Sequence, residues 1–421
     1  MTMTCSELRE GIAGDVVGVR VRHELEPLGG ADDKVFPPTY SVPDAEETKY
    51  AIETRQASDD GLGANTIKSV VLDSVSSQAN RAELAILEAI RSGAVQVPVT
   101  SVNFSSERQL EWLDRISDYE APHRIFDALL RDSYDGEHLF RFGPVGQSIT
   151  LARPKNATAI YYHSPHTLVF GGWDSTGPRG GLGAKYERAI TSEIVALDVQ
   201  TGVKTASRID PTGIERRENA ILYEAADGTW TLDAKEAVQE KGKPKLFGAN
   251  GTAGREAGRP SQANLGNVTP SIERRSGGIT ARRIVGTTVL SFIQLRRLRF
   301  PTAADGSPIE TGRRDNAELA ARTALAALGL ASTALAYEEG FDLRSRCLLV
   351  ASGPSSFEAV SRDGSVTRFE LSGSDALKLV AEAAEQAASA GMSWRSGEML
   401  LKPSERLCEL IRRSHDLSDA S

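Results

Sequence analysis

The sequence is short of the residues that staple or ligate. Its 421 residues hold three cysteines, Cys5, Cys347 and Cys408, far apart and with no histidine or second cysteine at ligand spacing. That argues against a disulfide framework and a structural zinc site, and suits a reducing, cytoplasmic setting. Histidine is scarce too, with six in the chain. His163 and His166 in "HSPH" have no carboxylate or third histidine at useful spacing, so they read as structural and no metal or cofactor is expected. No G-x-S-x-G, H-E-x-x-H or Cys–His arrangement appears, which removes the common hydrolase signatures. No uninterrupted run reaches the roughly 18 apolar residues of a membrane span. The start, MTMTCSELREGIAGD, lacks the basic and apolar regions of a signal peptide. No membrane partner is expected.

Charge is unevenly spread. The net charge is −8, which on its face speaks against nucleic acid. Residues 1–60 hold thirteen acids against six bases, whereas residues 251–325 hold twelve arginines, no lysine and six acids. A basic face on an acidic protein still binds phosphates. Arginine alone favours bidentate phosphate contacts and stacking on bases. Pairing of those arginines with the acidic N-terminal region is the competing reading.

The order of elements points to an α+β fold, with an antiparallel sheet covered by helices on one face. Residues 14–54 read as strands interrupted by Pro37 and Pro38. From Gly61 on, Ile67, Val71, Val75, Ala79, Ala82, Ile86 and Ile90 recur every three or four residues, which predicts one helix with a buried stripe. Its opposite face would carry Ser69, Asp73, Ser77, Asn80 and Arg81, small and polar where a solvated face prefers Glu and Lys. "ERQLEWLDRI" and "PHRIFDALLRD" predict short helices, and "ATAIYYHSPHTLVFGGW" and "SEIVALDV" predict buried strands. Asp227-Gly228 and Asp363-Gly364 mark hairpins. Residues 200–265 read as an insertion. "GGITARRIVGTTVLSFIQLRRLRFP" predicts a helix ending at Arg296, Arg297 and Arg299. Asp315 and Glu318 open an alanine-rich helix to about Glu339, and helices near 374–390 and 403–413 finish the chain.

The segment "FGGWDSTGPRGGLGAKYERAITSEIVALDV", residues 170–199, is the most specific. It is not a P-loop, because it lacks the Gly-Lys pair and the following hydroxyl. It is not a dinucleotide fingerprint, because the glycine spacing is wrong and no βαβ unit follows. Glycines that let backbone come close, Trp173 for stacking, and Arg179, Lys185 and Arg188 for charge together suit a single-stranded nucleic acid.

Five segments in the same order resemble one family. "VFPPTY", "LDSVSSQANR", the 170–199 stretch, "RPSQANLGNVTP" and "GGITARRIVGTTVLSFIQLRRLRFP" are similar to the backbone RAMP protein of type I-G (formerly I-U) CRISPR effector complexes, over about residues 33–300. The resemblance implies an RRM-like, ferredoxin-like palm in a single RAMP-type domain of residues 1–421. The palm would come from about 14–100, 151–200 and 259–421, with a fingers-like insertion at 101–150 and a thumb-like or mobile insertion at 201–258. It implies a non-catalytic subunit that polymerises along the CRISPR RNA of a Cascade complex and presents it for pairing with target DNA in antiviral defence. The implied partners are further copies of the chain, a large subunit, an RNA-end-binding subunit and a recruited nuclease-helicase. A RAMP-type endoribonuclease acting on CRISPR or target RNA is the alternative, with Asp73 and Asp174 the acids nearest the motifs. The expected RNA-binding residues are Lys68, Ser69, Ser77, Gln78, Asn80, Arg81, Trp173, Arg179, Gly180, Gly181, Lys185, Arg188, Arg282, Arg283, Arg296, Arg297 and Arg299.

Overall fold

The computed structural model describes residues 2–43, 45–56, 66–177, 183–214, 220–248, 257–353 and 355–419. The chain divides into two compact units. The first comprises Met1–Pro38, Ile52–Gln200 and Thr280–His415, and the second Thr39–Ala51, Thr201–Ile279 and Asp416–Ser421.

The first unit is α+β, as expected. Its main sheet has nine strands: β1 (Val16–Pro27), β2 (Ile52–Gln56), β3 (Thr66–Asp73), β4 (Ile190–Thr201), β5 (Ile279–Ser291), β6 (Phe341–Arg344), β7 (Cys347–Ala351), β8 (Ser356–Ser361) and β9 (Val366–Phe369). The spatial order is β6-β7-β1-β5-β4-β3-β2, with β8 also on β1 and β9 on β8. The β1 pairings with β5, β7 and β8 are all antiparallel. Burial alternates along β1, the signature of a sheet packed on one side.

Helices α1 (Cys5–Ala13), α2 (Val75–Arg91), α3 (Thr311–Glu338) and α4 (Gly373–Ser389) supply the covering layer. α3 is its centre. Ala317, Ala320, Ala321, Ala324, Leu325, Leu328 and Ala331 are all buried, and alanine lets neighbouring helices approach on several sides. An 18-residue window of α3 has mean hydropathy 1.5, apolar enough to cross a bilayer, yet 83% of it is buried inside the protein. It is a core helix by use. A five-stranded sheet adds Arg115–Ser117, Val99–Asn103, Glu398–Pro403, Ser133–Asp135 and His138–Leu139, in that order. All three cysteines are free and buried.

The second unit is built of short hairpins. Lys204–Arg208 pairs with Val268–Glu273, and Tyr223–Glu224 pairs with Trp230–Thr231 around Asp227-Gly228, the turn expected there. Arg275 ties the 39–51 segment to this unit by donating to the carbonyls of Pro43 and Glu46.

Five expectations need correction. "ERQLEWLDRI" holds only one short helical turn, Glu111–Leu113, before the strand Arg115–Ser117, and the alanine-rich helix opens at Thr311, ahead of Asp315. The single helix over 67–90 is a strand followed by a helix. Thr66, Ile67, Val70 and Val71 are β-branched and favour the pleat, and Ser74 then caps α2 by accepting from the Ser77 amide at 3.3 Å. The consequence is that Ile67, Ser69 and Val71 share one side of a strand, where a helix would set Ser69 opposite the other two. Ile67, Val71 and Val75 are half-buried, not core; Ile86 is core. The run 158–170, expected as a strand, forms two short helices, Thr158–His163 and Pro165–Phe170. Every residue of the second is buried, so no polar face marks its period. "GGITARRIVGTTVLSFIQLRRLRFP" is mostly strand β5, with a helix only over Phe292–Arg297.

Candidate nucleic-acid interface

A groove of about 640 Å³ opens in the first unit between the first turns of α2, the loop at 122–124 and the hairpin of Gly172–Trp173 with Lys185–Tyr186. Ser76 and Asn80 line it from the helix, Trp173, Lys185 and Arg188 from the hairpin, and His123 and Arg124 from the loop. It is set by one buried bracket. Arg124 places two hydrogen bonds on Glu83 of α2, at 2.6 and 2.7 Å, and a third on the Gly171 carbonyl at 3.0 Å. Helix, loop and hairpin are thereby fixed to one another. Arg124 adopts φ +53 to make this reach, a left-handed conformation that costs a non-glycine residue energy.

Burial pushes the Glu83 carboxyl up to about 6, against the pull first of Arg124 and then of Arg188. Arg188 in turn is pulled below the usual guanidinium range by burial and by Arg124, with Glu83 opposing. The side chains of Arg188 and Lys185 make no hydrogen bond or ion pair among the described residues. Their charges are free for a ligand. Trp173 is 50% exposed and pairs across the hairpin with Lys185, so a flat aromatic face stands beside a cation. Gly171 sits at φ +87, and a Cβ there would come within 2.7 Å of the Arg188 side chain. Glycine is needed to bring that backbone to the groove.

The glycine-rich loop beyond Trp173 is anchored at its base. Arg141 donates to Asp174 at 2.6 Å and to the Thr176 carbonyl. Arg131 reaches the Thr176 hydroxyl at 3.2 Å. A Cβ on Gly183 would fall 1.8 Å from the Asp174 carbonyl, so the two arms of the loop are in contact. Arg179, Gly180 and Gly181 lie outside the described residues.

Of the residues expected from sequence, the groove gathers Asn80, Trp173, Lys185 and Arg188. Lys68 on β3 and Arg282 on β5 are exposed elsewhere, and Ser77 is half-buried on α2. The others are committed within the chain. Ser69 is fully buried, and Gln78 is buried between Asp73 and Ser192. Arg81 donates to Asp73 at 3.0 Å and to the carbonyls of Asp342 and Leu343. Arg283 meets Glu24, Arg297 meets Glu187 and Arg299 meets Glu318. Arg296 donates to four carbonyls, of Gly11, Ile12, Gly14 and Val16. Of these, Arg283 alone pairs with an acid of the N-terminal region, as the competing reading expects; Arg297 and Arg299 pair with acids elsewhere and Arg296 binds carbonyls. Ser76, Pro122, His123, Arg124, Tyr186 and Glu187 also line the groove and were not singled out from sequence. The loop at 122–124 is brought there by tertiary contacts that carry no local pattern.

A larger cleft of about 1340 Å³ lies beside the end of α2 and α4. It contains none of the expected residues, and its Arg91 and Arg115 are paired with Glu120 and Glu398.

Residues 19–201 match the family model described as CRISPR-associated protein GSU0053. Over that span the chain is similar to a CRISPR-associated protein of that family. The match is consistent with a type I-G (formerly I-U) Cascade subunit. No curated protein matches the chain. Every residue lining the groove falls inside the matched span, whereas the 282–299 arginines fall beyond it.

Proposed function

We propose that this chain is the backbone subunit of a type I-G Cascade complex and holds the sugar-phosphate backbone of the CRISPR RNA in the groove. The observation that carries the reading is the convergence of unpaired Lys185 and Arg188 with half-exposed Trp173 and the amide of Asn80. Cations without internal partners suit phosphates, and an indole face suits a base of any sequence. The groove is cationic although the chain as a whole is acidic. In this reading further copies pack along the guide, target DNA pairs with it, and the large subunit, the RNA-end-binding subunit and the nuclease-helicase join the assembly.

The strand order supports an RRM-like palm for this role. Strands β7-β1-β5-β4, joined in sequence through α2 between β1 and β4 and α3 between β5 and β7, follow a β-α-β-β-α-β path. Strands β2 and β3 extend one edge. A non-cleaving role is supported by the two acids once in question. Asp73 is fully buried between Gln78, Arg81 and Arg344, and Asp174 is 1% exposed and bound to Arg141. Neither is free to reach a ribose hydroxyl.

The test is fluorescence anisotropy with unrelated RNAs on the parent and on K185A/R188A. The variant is expected to weaken binding equally for all sequences and to lower the slope of log affinity against log salt by about 1.4, two contacts at about 0.7 each. Unchanged affinity, or release of cleaved RNA by the parent, would overturn the proposal.

A further inference from the structure

The main sheet has a second face that the helices do not cover. Along β1, Val19 and Val21 point into the core while Arg20 and Arg22 point away from it. Their cross-strand neighbours are Val289 and Thr287 on β5, and Glu358 and Ser356 on β8. β9 adds Arg368 opposite Glu358. Arg20 donates to one Glu358 oxygen at 2.6 and 2.9 Å, and Arg368 reaches the other at 3.2 Å. Arg22 is exposed and makes no hydrogen bond or ion pair among the described residues. Two guanidinium groups therefore share the Glu358 carboxylate, and a third, that of Arg22, stands two residues along β1 from Arg20. Farther along β1, Glu24 is taken by Arg283, and Glu26 lies at the strand end.

We propose that this outer face of the sheet binds the phosphates of a second single strand of nucleic acid, separate from the strand in the groove. It shares no residue with the groove and does not rest on that reading. The geometry argues for a polyanion over a small anion. Arg20 and Arg22 are two residues apart on one strand, about 7 Å, and Arg368 is two strands away, about 10 Å. A single phosphate cannot reach all three, whereas a chain of phosphates can. Glu358 holds Arg20 and Arg368 with their forks fixed, which lowers the cost of ordering them when phosphate arrives. Beside the arginines the surface is open pleat: Val289 on β5 and Val366 on β9 are each 41% exposed. A sugar or base can lie flat there, and the pairing of arginine forks with bare β-surface favours nucleic acid over an acidic peptide.

The experiment uses the full chain and a short labelled single-stranded oligonucleotide, as RNA and as DNA, titrated to saturation. The parent is expected to take two strands per chain. R22Q/R368Q, which leaves the Arg20–Glu358 pair in place, is expected to take one and, with the strand gone, to lose the slope of all three contacts, about 2.1 at about 0.7 each. K185A/R188A should lose the other strand and keep this one. An R22Q/R368Q protein that binds as many strands as the parent overturns the proposal. So does displacement of the face-bound strand by polyglutamate at equal charge, which would make this a protein contact. If K185A/R188A changes nothing while R22Q/R368Q loses a strand, the groove reading fails and this one stands.

Discussion

Arg124 and Glu83 form a two-pronged ion pair at 2.6 and 2.7 Å, with both side chains nearly sealed from solvent. The pair spans 41 residues of sequence and fixes the floor of the groove. Removing one member strands the other charge in a low-dielectric site. R124A is therefore expected to cost about 3–5 kcal/mol in urea unfolding. E83Q/R124M, which removes both charges, should recover much of that loss. If R124A melted like the parent, the pair would not be the bracket described here.

Trp173 is half exposed and has little packing to lose. W173A is expected to leave thermal stability nearly unchanged while weakening RNA binding by about 1–3 kcal/mol, the range for loss of one stacked base. W173F should keep part of the affinity. The measurement is the same anisotropy titration, and equal affinity for parent and W173A would place the indole outside the contact.

Arg296 shows why the sequence misdirects in the 282–299 region. Its four carbonyl acceptors lie at the last turn and cap of α1 and the start of β1. A cation at a helix C-terminus satisfies orphan carbonyls and meets the negative end of the dipole. R296A should cost about 1–3 kcal/mol of stability, because those carbonyls are left without a donor. RNA affinity should be unchanged at temperatures where the variant is folded. A loss of RNA affinity with no loss of stability would reverse this assignment.

What could be read from residues was mostly what is local. The hairpins at Asp227-Gly228 and Asp363-Gly364, strand β4 and the helix near 374–390 all carry their own turn or period. The glycine-rich segment pointed to Trp173, Lys185 and Arg188, and the small polar set pointed to Asn80. The failures have two physical causes. A fully buried run such as 165–170 has no polar face, so helix and strand look alike. Charge counting cannot separate a free arginine from one satisfied by carbonyls, and carbonyls leave no trace in composition. Ser69 and Gln78 failed for the first reason's converse: they are buried polar residues with partners in the chain, Glu53 for Ser69 and Asp73 for Gln78.

Asp118 offers a test by pH. It is fully buried, accepting from the Thr100 amide at 3.0 Å and the Ser164 hydroxyl at 2.9 Å. Its neighbour His166 stands 3.7 Å off and is held well below the usual imidazole range by burial and by Arg124. That ring is neutral, so it does not balance a carboxylate. Burial accordingly pushes the Asp118 carboxyl from 3.8 up to about 7, outweighing the hydrogen bonds that pull it down. A carboxyl raised on folding contributes stability that is full below about 3.8 and is lost as pH rises towards 7. D118N is a fixed copy of the neutral form. Its carbonyl can accept from the Thr100 amide, and its NH₂ can donate to Ser164, whose hydroxyl turns to Thr167 at 2.8 Å. The stability of D118N relative to the parent is therefore expected to rise from pH 4 to pH 7 and to level off above it. His23 and His163, held near 4 by burial, titrate in both proteins and cancel in the difference. Thermal melts of the two proteins across that range decide the matter. A difference that stayed flat would mean that Asp118 is ionised throughout and that its charge is balanced from within the fold.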